Sequence, residues 1–118
     1  MRKITQQSIE AFLNFKPFKS GNTQVEIEDG NAKLLLHGNL IAIKMYFGAI
    51  EITNAGWFSN TTKERLNGLP NVSIYQKKGV WFLNDKEWDG DWVYTDTKGL
   101  SNAIHDSNVS RGYEDNLI

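Results

Sequence analysis

Hydrophobic positions recur at helical spacing near the start of the chain, where Ile9, Phe12, Leu13 and Phe15 follow one another over residues 5–15. Thr5 is placed to cap this first helix and Pro17 to close it. Over residues 22–28 the period changes to two. Val25 and Ile27 take one face while Gln24, Glu26 and Glu28 take the other, the pattern of a half-buried strand. Asp29-Gly30-Asn31 then predicts a hairpin, because Gly and Asn tolerate positive φ. Leu34-Leu35-Leu36 forms the return strand, and its denser apolar content predicts a central place in the sheet. His37-Gly38-Asn39 and Gly48 are the next turns, with a third strand over 40–46 and a fourth over 49–53. The first half therefore reads as a helix followed by a four-stranded antiparallel meander.

A different pattern occupies residues 56–84. Ser59 or Asn60 can cap a short central helix, Glu64 and Arg65 suit its body, and Gly68 with Pro70 stops it. Phe58, Leu66 and Leu69 are its few apolar positions, so the packing face is narrow. Thr61, Thr62, Lys63, Glu64, Arg65 and Asn67 leave it mostly polar, the mark of either a solvated helix or one that presents its N-terminus to an anion. Residues 72–75 and 80–83 form a β-hairpin through Lys77, Lys78 and Gly79, and Asn84-Asp85 marks another turn. From Thr95 onward the chain is polar, anchored by little more than Leu100, Ala103, Ile104 and Leu117. It reads as a loose tail or as a helix-containing arm that docks on the domain or a second subunit. The expected fold class is α+β: N-terminal helix, antiparallel β-meander, short central helix, β-hairpin and C-terminal helical arm. A ligand-binding domain is expected over 1–94 and the arm over 95–118.

Length and composition narrow the function classes. The 118 residues suffice for one domain with a sizeable core. No apolar run approaches the ~20 residues of a membrane helix, and no signal peptide is expected at the start. The lack of cysteine removes disulfide and thiolate chemistry and fits a reducing cytoplasm. A net charge of −1 gives no general attraction to nucleic acid or membrane.

Candidate chemistry is sparse. His37 sits at a turn and His105 in the polar tail, without a metal-ligand spacing, and a structural or solvated role is favoured for each. No serine lies in a GxSxG setting. Glu87, Asp89 and Asp91 alternate with Trp88 and Trp92, which marks the solvent side of an edge segment, with the tryptophans inward, more simply than paired catalytic carboxylates. No catalytic residue, metal or cofactor is therefore assigned, and the chain is not expected to be an enzyme. Trp81 and Phe82 place large rings on opposite faces of one strand, so a ring beside Asn84 can stack a purine and bond its edge, unless both faces are covered. Arg65 and Lys63 near Thr61 and Thr62, and Arg111 near Tyr113, can clamp a phosphate, although a single Arg is more often a surface residue.

The stretches SGNTQVEIEDG, LLLHGNLIA, ITNAGWFSNTTKERLNGLP, VSIYQKKGVWFLN and EWDGDW resemble a family of small bacteriophage accessory proteins, over roughly residues 4–92. The GW–TTKERLN block is the most specific part, and within this setting the chain is similar to the Thoeris anti-defence sponges. That resemblance implies a protein in the cytoplasm of the bacterial host that binds a cyclic ADP-ribose isomer and holds it uncleaved. It implies a pocket at a dimer interface, with Phe82 and Asn84 on the base and Arg111 with its neighbours reaching in from the partner chain. The expected ligand set is thus Phe82, Asn84, Thr61, Thr62, Arg65, Arg111 and Tyr113, in a homo-oligomer of at least two chains. The alternative is a phage accessory protein that inhibits a host protein or nuclease by direct binding, with tryptophans of the segment 87–92 as its anchors.

Overall fold

A computed structural model describes residues 1–97 of the chain. Helix α1 spans Lys3–Leu13 and buries Thr5, Ser8, Ile9 and Phe12 along one face. Its cap is Arg2, without a side-chain hydrogen bond, so Thr5 lies one turn inside the helix and not at its cap. The helix ends before Pro17: Phe15 turns to φ 56°, and Lys44 Nζ closes the end by donating to the Leu13 carbonyl at 2.7 Å. Strands β1 (Phe18–Ser20), β2 (Thr23–Glu28), β3 (Asn31–Leu36), β4 (Asn39–Lys44) and β5 (Ile50–Ile52) follow. They pair antiparallel in chain order, and β9 (Val93–Asp96) adds a sixth strand beside β5. The two-residue turns Asp29-Gly30 and His37-Gly38 have positive φ at both positions, the twist that a tight hairpin demands.

The meander predicted from alternation is present as β2 to β5, with β3 inside the sheet as expected. Val25 is buried, whereas Ile27 on the same face is 38% exposed, because β1 covers only Thr23–Val25. Helix α2 spans Asn60–Leu66. Strands β6 (Ile74–Lys77), β7 (Val80–Leu83) and β8 (Lys86–Glu87) form a second antiparallel sheet of three strands. Its turns, Lys78-Gly79 and Asn84-Asp85, again take positive φ throughout.

One core joins the two sheets. Ile9 and Phe12 of α1 meet Val25, Leu34, Ile41 and Ile52 of the larger sheet, and Leu66, Leu69, Ile74, Trp81 and Trp88 extend the same cluster. Gly68 lets α1 approach: a Cβ there would lie 2.8 Å from Ile9 Cγ1 and 2.9 Å from Thr5 Cγ2. The α+β expectation is thereby corrected. The described residues are mostly β-sheet, six strands plus three, with two helices of 11 and 7 residues, and no C-terminal helical arm is among them. The physical reason is that β1 and β8, of three and two residues, are too short for alternation to register, and β9 runs into the stretch expected to be a polar arm, yet all three enlarge the sheets. Beyond Thr97 the expected arm, with Arg111 and Tyr113, lies outside the described residues.

Candidate ligand site

A turn, a loop and the start of a helix converge at one end of the larger sheet. The β3–β4 turn brings His37 and Asn39. The loop after β5 coils tightly, with φ 54° at Ala55 and 84° at Gly56, while Asn54 Oδ1 accepts from Gly56 N at 2.8 Å and the Asn54 carbonyl accepts from Trp57 N at 2.8 Å. This coil turns Trp57 outward, leaving it 58% exposed. The start of α2 supplies hydroxyls. Ser59 Oγ accepts from Thr62 N at 3.1 Å, as the Ncap of the helix, and lies 2.9 Å from Thr62 Oγ1. Between these elements lies a cavity of about 260 Å³ lined by Leu36, His37, Asn39, Trp57, Ser59, Thr61 and Thr62. It offers an aromatic ring, hydroxyls and one imidazole, and no lysine or arginine lines it.

Of the residues anticipated for a ligand, the structure brings Thr61 and Thr62 together here. Phe82 lies elsewhere. Alternation along β7 turns Trp81 and Leu83 into the core and Phe82 outward, where it stacks on Tyr75 with ring centroids 5.3 Å apart and planes 6° from parallel. Asn84 occupies the β7–β8 turn with φ 50°, and its amide bonds the backbone of the β6 side: Oδ1 accepts from Ser73 N at 2.9 Å and Nδ2 donates to the Asn71 carbonyl at 3.0 Å. Trp88 is buried and donates Nε1–H to the Asp91 carbonyl at 2.9 Å, whereas Trp92 is 41% exposed, so only one of the two tryptophans faces inward.

Arg65 is 1% exposed and ties three elements together. Its Nε donates to Thr23 Oγ1 of β2 at 3.0 Å, and one terminal nitrogen donates to Thr5 Oγ1 of α1 and to Glu64 Oε1, each at 2.7 Å. Glu64 also accepts from the Thr5 hydroxyl and from Arg2 N at 3.2 Å. Burial opposes ionisation of Glu64, but those hydrogen bonds and the charge of Arg65 outweigh it and hold the carboxyl below the usual carboxylate range.

Arg65 reaches the cavity only through intermediaries. Because Thr23 Oγ1 accepts from Arg65, its own proton goes to Asn22 Oδ1 at 2.8 Å. That contact orients the Asn22 amide, so Nδ2 faces His37 Nε2 at 3.3 Å and donates to it. The imidazole proton then belongs on Nδ1. Leu36, His37, Asn39, Trp57 and Ser59 are the cavity residues that sequence reasoning did not assign to a ligand. The signal for Trp57 was a large ring directly after a Gly in a turn; for His37, no local pattern points beyond a strand end.

The family model of the Kyanoviridae Gp96 protein matches residues 1–103, most of the chain. The chain belongs to the Kyanoviridae Gp96 protein family. It is therefore a bacteriophage accessory protein, which agrees with the family setting expected from its sequence blocks. No curated protein and no solved structure matches it. Among the described residues of this Gp96 family member, no helix is long and apolar enough to cross a membrane, and no group of three or more His, Cys, Asp and Glu side chains is placed to hold a metal.

Proposed function

We propose that this phage accessory protein counters host defence by binding a small nucleotide signal, a cyclic ADP-ribose isomer, in the bacterial cytoplasm and holding it without cleavage. The observation that carries this reading is the exposed Trp57 ring beside the Ser59, Thr61 and Thr62 hydroxyls and His37, around one cavity. A base stacks on Trp57, and hydroxyls and imidazole serve its edge and the ribose. At about 260 Å³ the cavity is smaller than the usual ligand pockets of roughly 300–1,000 Å³. It suits a base with part of its sugar, and the phosphates extend beyond it. In this reading Arg111 is their cationic partner and comes, with Tyr113 beside it in sequence, from the neighbouring chain of a homo-oligomer. Sequestration requires a submicromolar Kd, equivalent to more than ~8 kcal/mol. Calorimetry with cyclic ADP-ribose isomers, followed by heating and mass spectrometry of the released ligand, tests it. Intact ligand is expected, with binding lost in Trp57→Ala; recovery of hydrolysed ligand makes the protein an enzyme and ends the sponge reading.

A second reading, direct inhibition of a host protein, is favoured by exposed rings: Trp57 and Phe58 are each 58% exposed and Trp92 41%. Large aromatic side chains open to solvent are the residues most often found at the energetic centres of protein interfaces. A host protein that stays bound in stoichiometric amount after nucleotide is washed away would support this reading over the first.

A further inference from the structure

The three-stranded sheet buries one face and leaves the other open. Ile74, Trp81 and Leu83 point into the core, and alternation turns Tyr75, Lys77, Val80 and Phe82 to the opposite side. The register sets Tyr75 beside Phe82, Lys77 beside Val80, and Glu87 of β8 beside Phe82, so these five side chains share the open face. Its centre is apolar, made of the stacked Tyr75 and Phe82 rings with Val80. Tyr75 is 39% exposed and Val80 36%. A single exposed apolar residue is ordinary, whereas three adjoining ones on one sheet face mark a contact surface.

Charge is divided across this face. Lys77 ends β6 and Lys78 stands in the turn to β7. Glu87 lies at the other end, on β8, and Asp85 in the β7–β8 turn accepts from the Tyr75 hydroxyl at 3.2 Å. Lys77 and Glu87 therefore occupy diagonal corners. The ion pairs among the described residues lie elsewhere, at Lys33–Glu28 and Arg65–Glu64. An apolar centre with opposite charges at opposite corners is complementary to itself. Rotation by a half-turn about an axis along the other diagonal lays one copy's Lys77 over the other's Glu87, and the same operation repeats the pair in reverse. Lys77 and Lys78 alone would suit a polyanion, but Asp85 and Glu87 on the same face repel one.

We infer that this open face is where two copies of the chain dimerise, sheet against sheet. The inference rests on the homo-oligomer of the sponge reading above and names its contact surface. Tyr75, Val80 and Phe82 lose their solvent contact in the pair and supply the association, as apolar burial does between packed sheets. The charged corners fix the orientation, because an arrangement with the strand ends in register sets lysine against lysine.

Sedimentation equilibrium of the full chain, without nucleotide, tests this. The wild type is expected to be a dimer. Lys77→Glu alone, or Glu87→Lys alone, should weaken association at least about tenfold, since each sets like charges opposite one another at both corners. Mixing the two variants, or joining both changes in one chain, puts opposite charges back at both corners and should restore the dimer, which a folding defect cannot do. A wild-type monomer overturns the proposal. A dimer that neither reversal weakens, or one that mixing fails to restore, also overturns it and moves the homo-oligomer to another face. A monomer that pairs only after residues 98–118 are removed assigns the face to the chain's own tail, and a monomer that binds single-stranded oligothymidylate assigns it to nucleic acid; either result overturns the dimer. Association that follows the charge swaps, with no nucleotide bound in calorimetry, upholds the face and ends the ligand reading alone.

Discussion

Arg65 joins α1, α2 and β2 through side-chain hydrogen bonds, and its burial sets the size of the effect when it is changed. Arg65→Ala leaves the Glu64 carboxylate and two hydroxyls without their donor, and because Glu64 keeps solvent contact a loss of roughly 1.5–3 kcal/mol is expected for the charge-assisted hydrogen bonds removed. A fall in the urea midpoint at unchanged slope checks it. Arg65→Lys should recover only part of the loss, because one ammonium cannot reach Thr5, Thr23 and Glu64 with the fork geometry of a guanidinium. Glu64 gives the pH counterpart. Its folded-state carboxyl titrates below the usual range, so the unfolded chain takes up the proton first as pH falls. The stability it supplies is complete above the ordinary carboxylate range and is lost as pH drops through the lowered folded value. Acid titration followed by tryptophan fluorescence should show this loss in wild type and a flatter profile in Glu64→Gln. Little of this was legible beforehand: Arg65 stands in a run of polar residues, and nothing local distinguishes a solvated guanidinium from one bonded to hydroxyls 42 and 60 positions away.

Elements framed by clear turn signals were readable even when short, as for β5 and the β6–β7 hairpin, and strands without such a frame were not. Strand β3 presents Ala32, Leu34 and Leu36 inward between two turns of the X-Gly kind, so alternation and turn chemistry agree there. Strand β1 has three residues and β8 two, too few for a period to show, and β9 becomes a strand through pairing with β5, with 40 positions between Ile52 and Val93. Helix α2 was recognisable from its Ser59 cap, but its packing against α1 depends on Gly68, which reads locally as a stop signal. Gly68→Ala should therefore do more than lengthen a helix end. The new methyl meets Ile9 and Thr5 inside contact distance, and a loss of about 1–3 kcal/mol is expected from overpacking. Thermal unfolding checks this, with Gly38→Ala as a control: no neighbour lies within 4 Å there, so only its φ of 79° is strained.

At the scale of the whole molecule, β9 is the sixth described strand of the larger sheet, paired along its edge to β5 and ending at Asp96. A chain truncated after Thr97 is expected to keep the far-ultraviolet signature and cooperative melting of the full protein. If Arg111 and Tyr113 complete the neighbour's pocket, the same truncation loses nucleotide binding in calorimetry. A monomer by light scattering, or full binding by the truncated chain, refutes the shared site. The expected site was only partly legible because its members fall on different surfaces: Thr61 and Thr62 at the cavity, Phe82 and Asn84 on the second sheet, Arg65 in the interior.

The chain of hydrogen bonds from Arg65 through Thr23 and Asn22 to His37 constrains how this protein drifts in sequence. Each link decides the orientation of the next, so a replacement at any of the four positions is felt at the other three. Natural variants should therefore change these positions in concert, with a lost hydroxyl at 23 accompanied by a new residue at 22 or 37. Under the binding reading proposed above, recognition then has a route to change that leaves the other cavity residues untouched: one mutation in the interior re-aims the imidazole from behind.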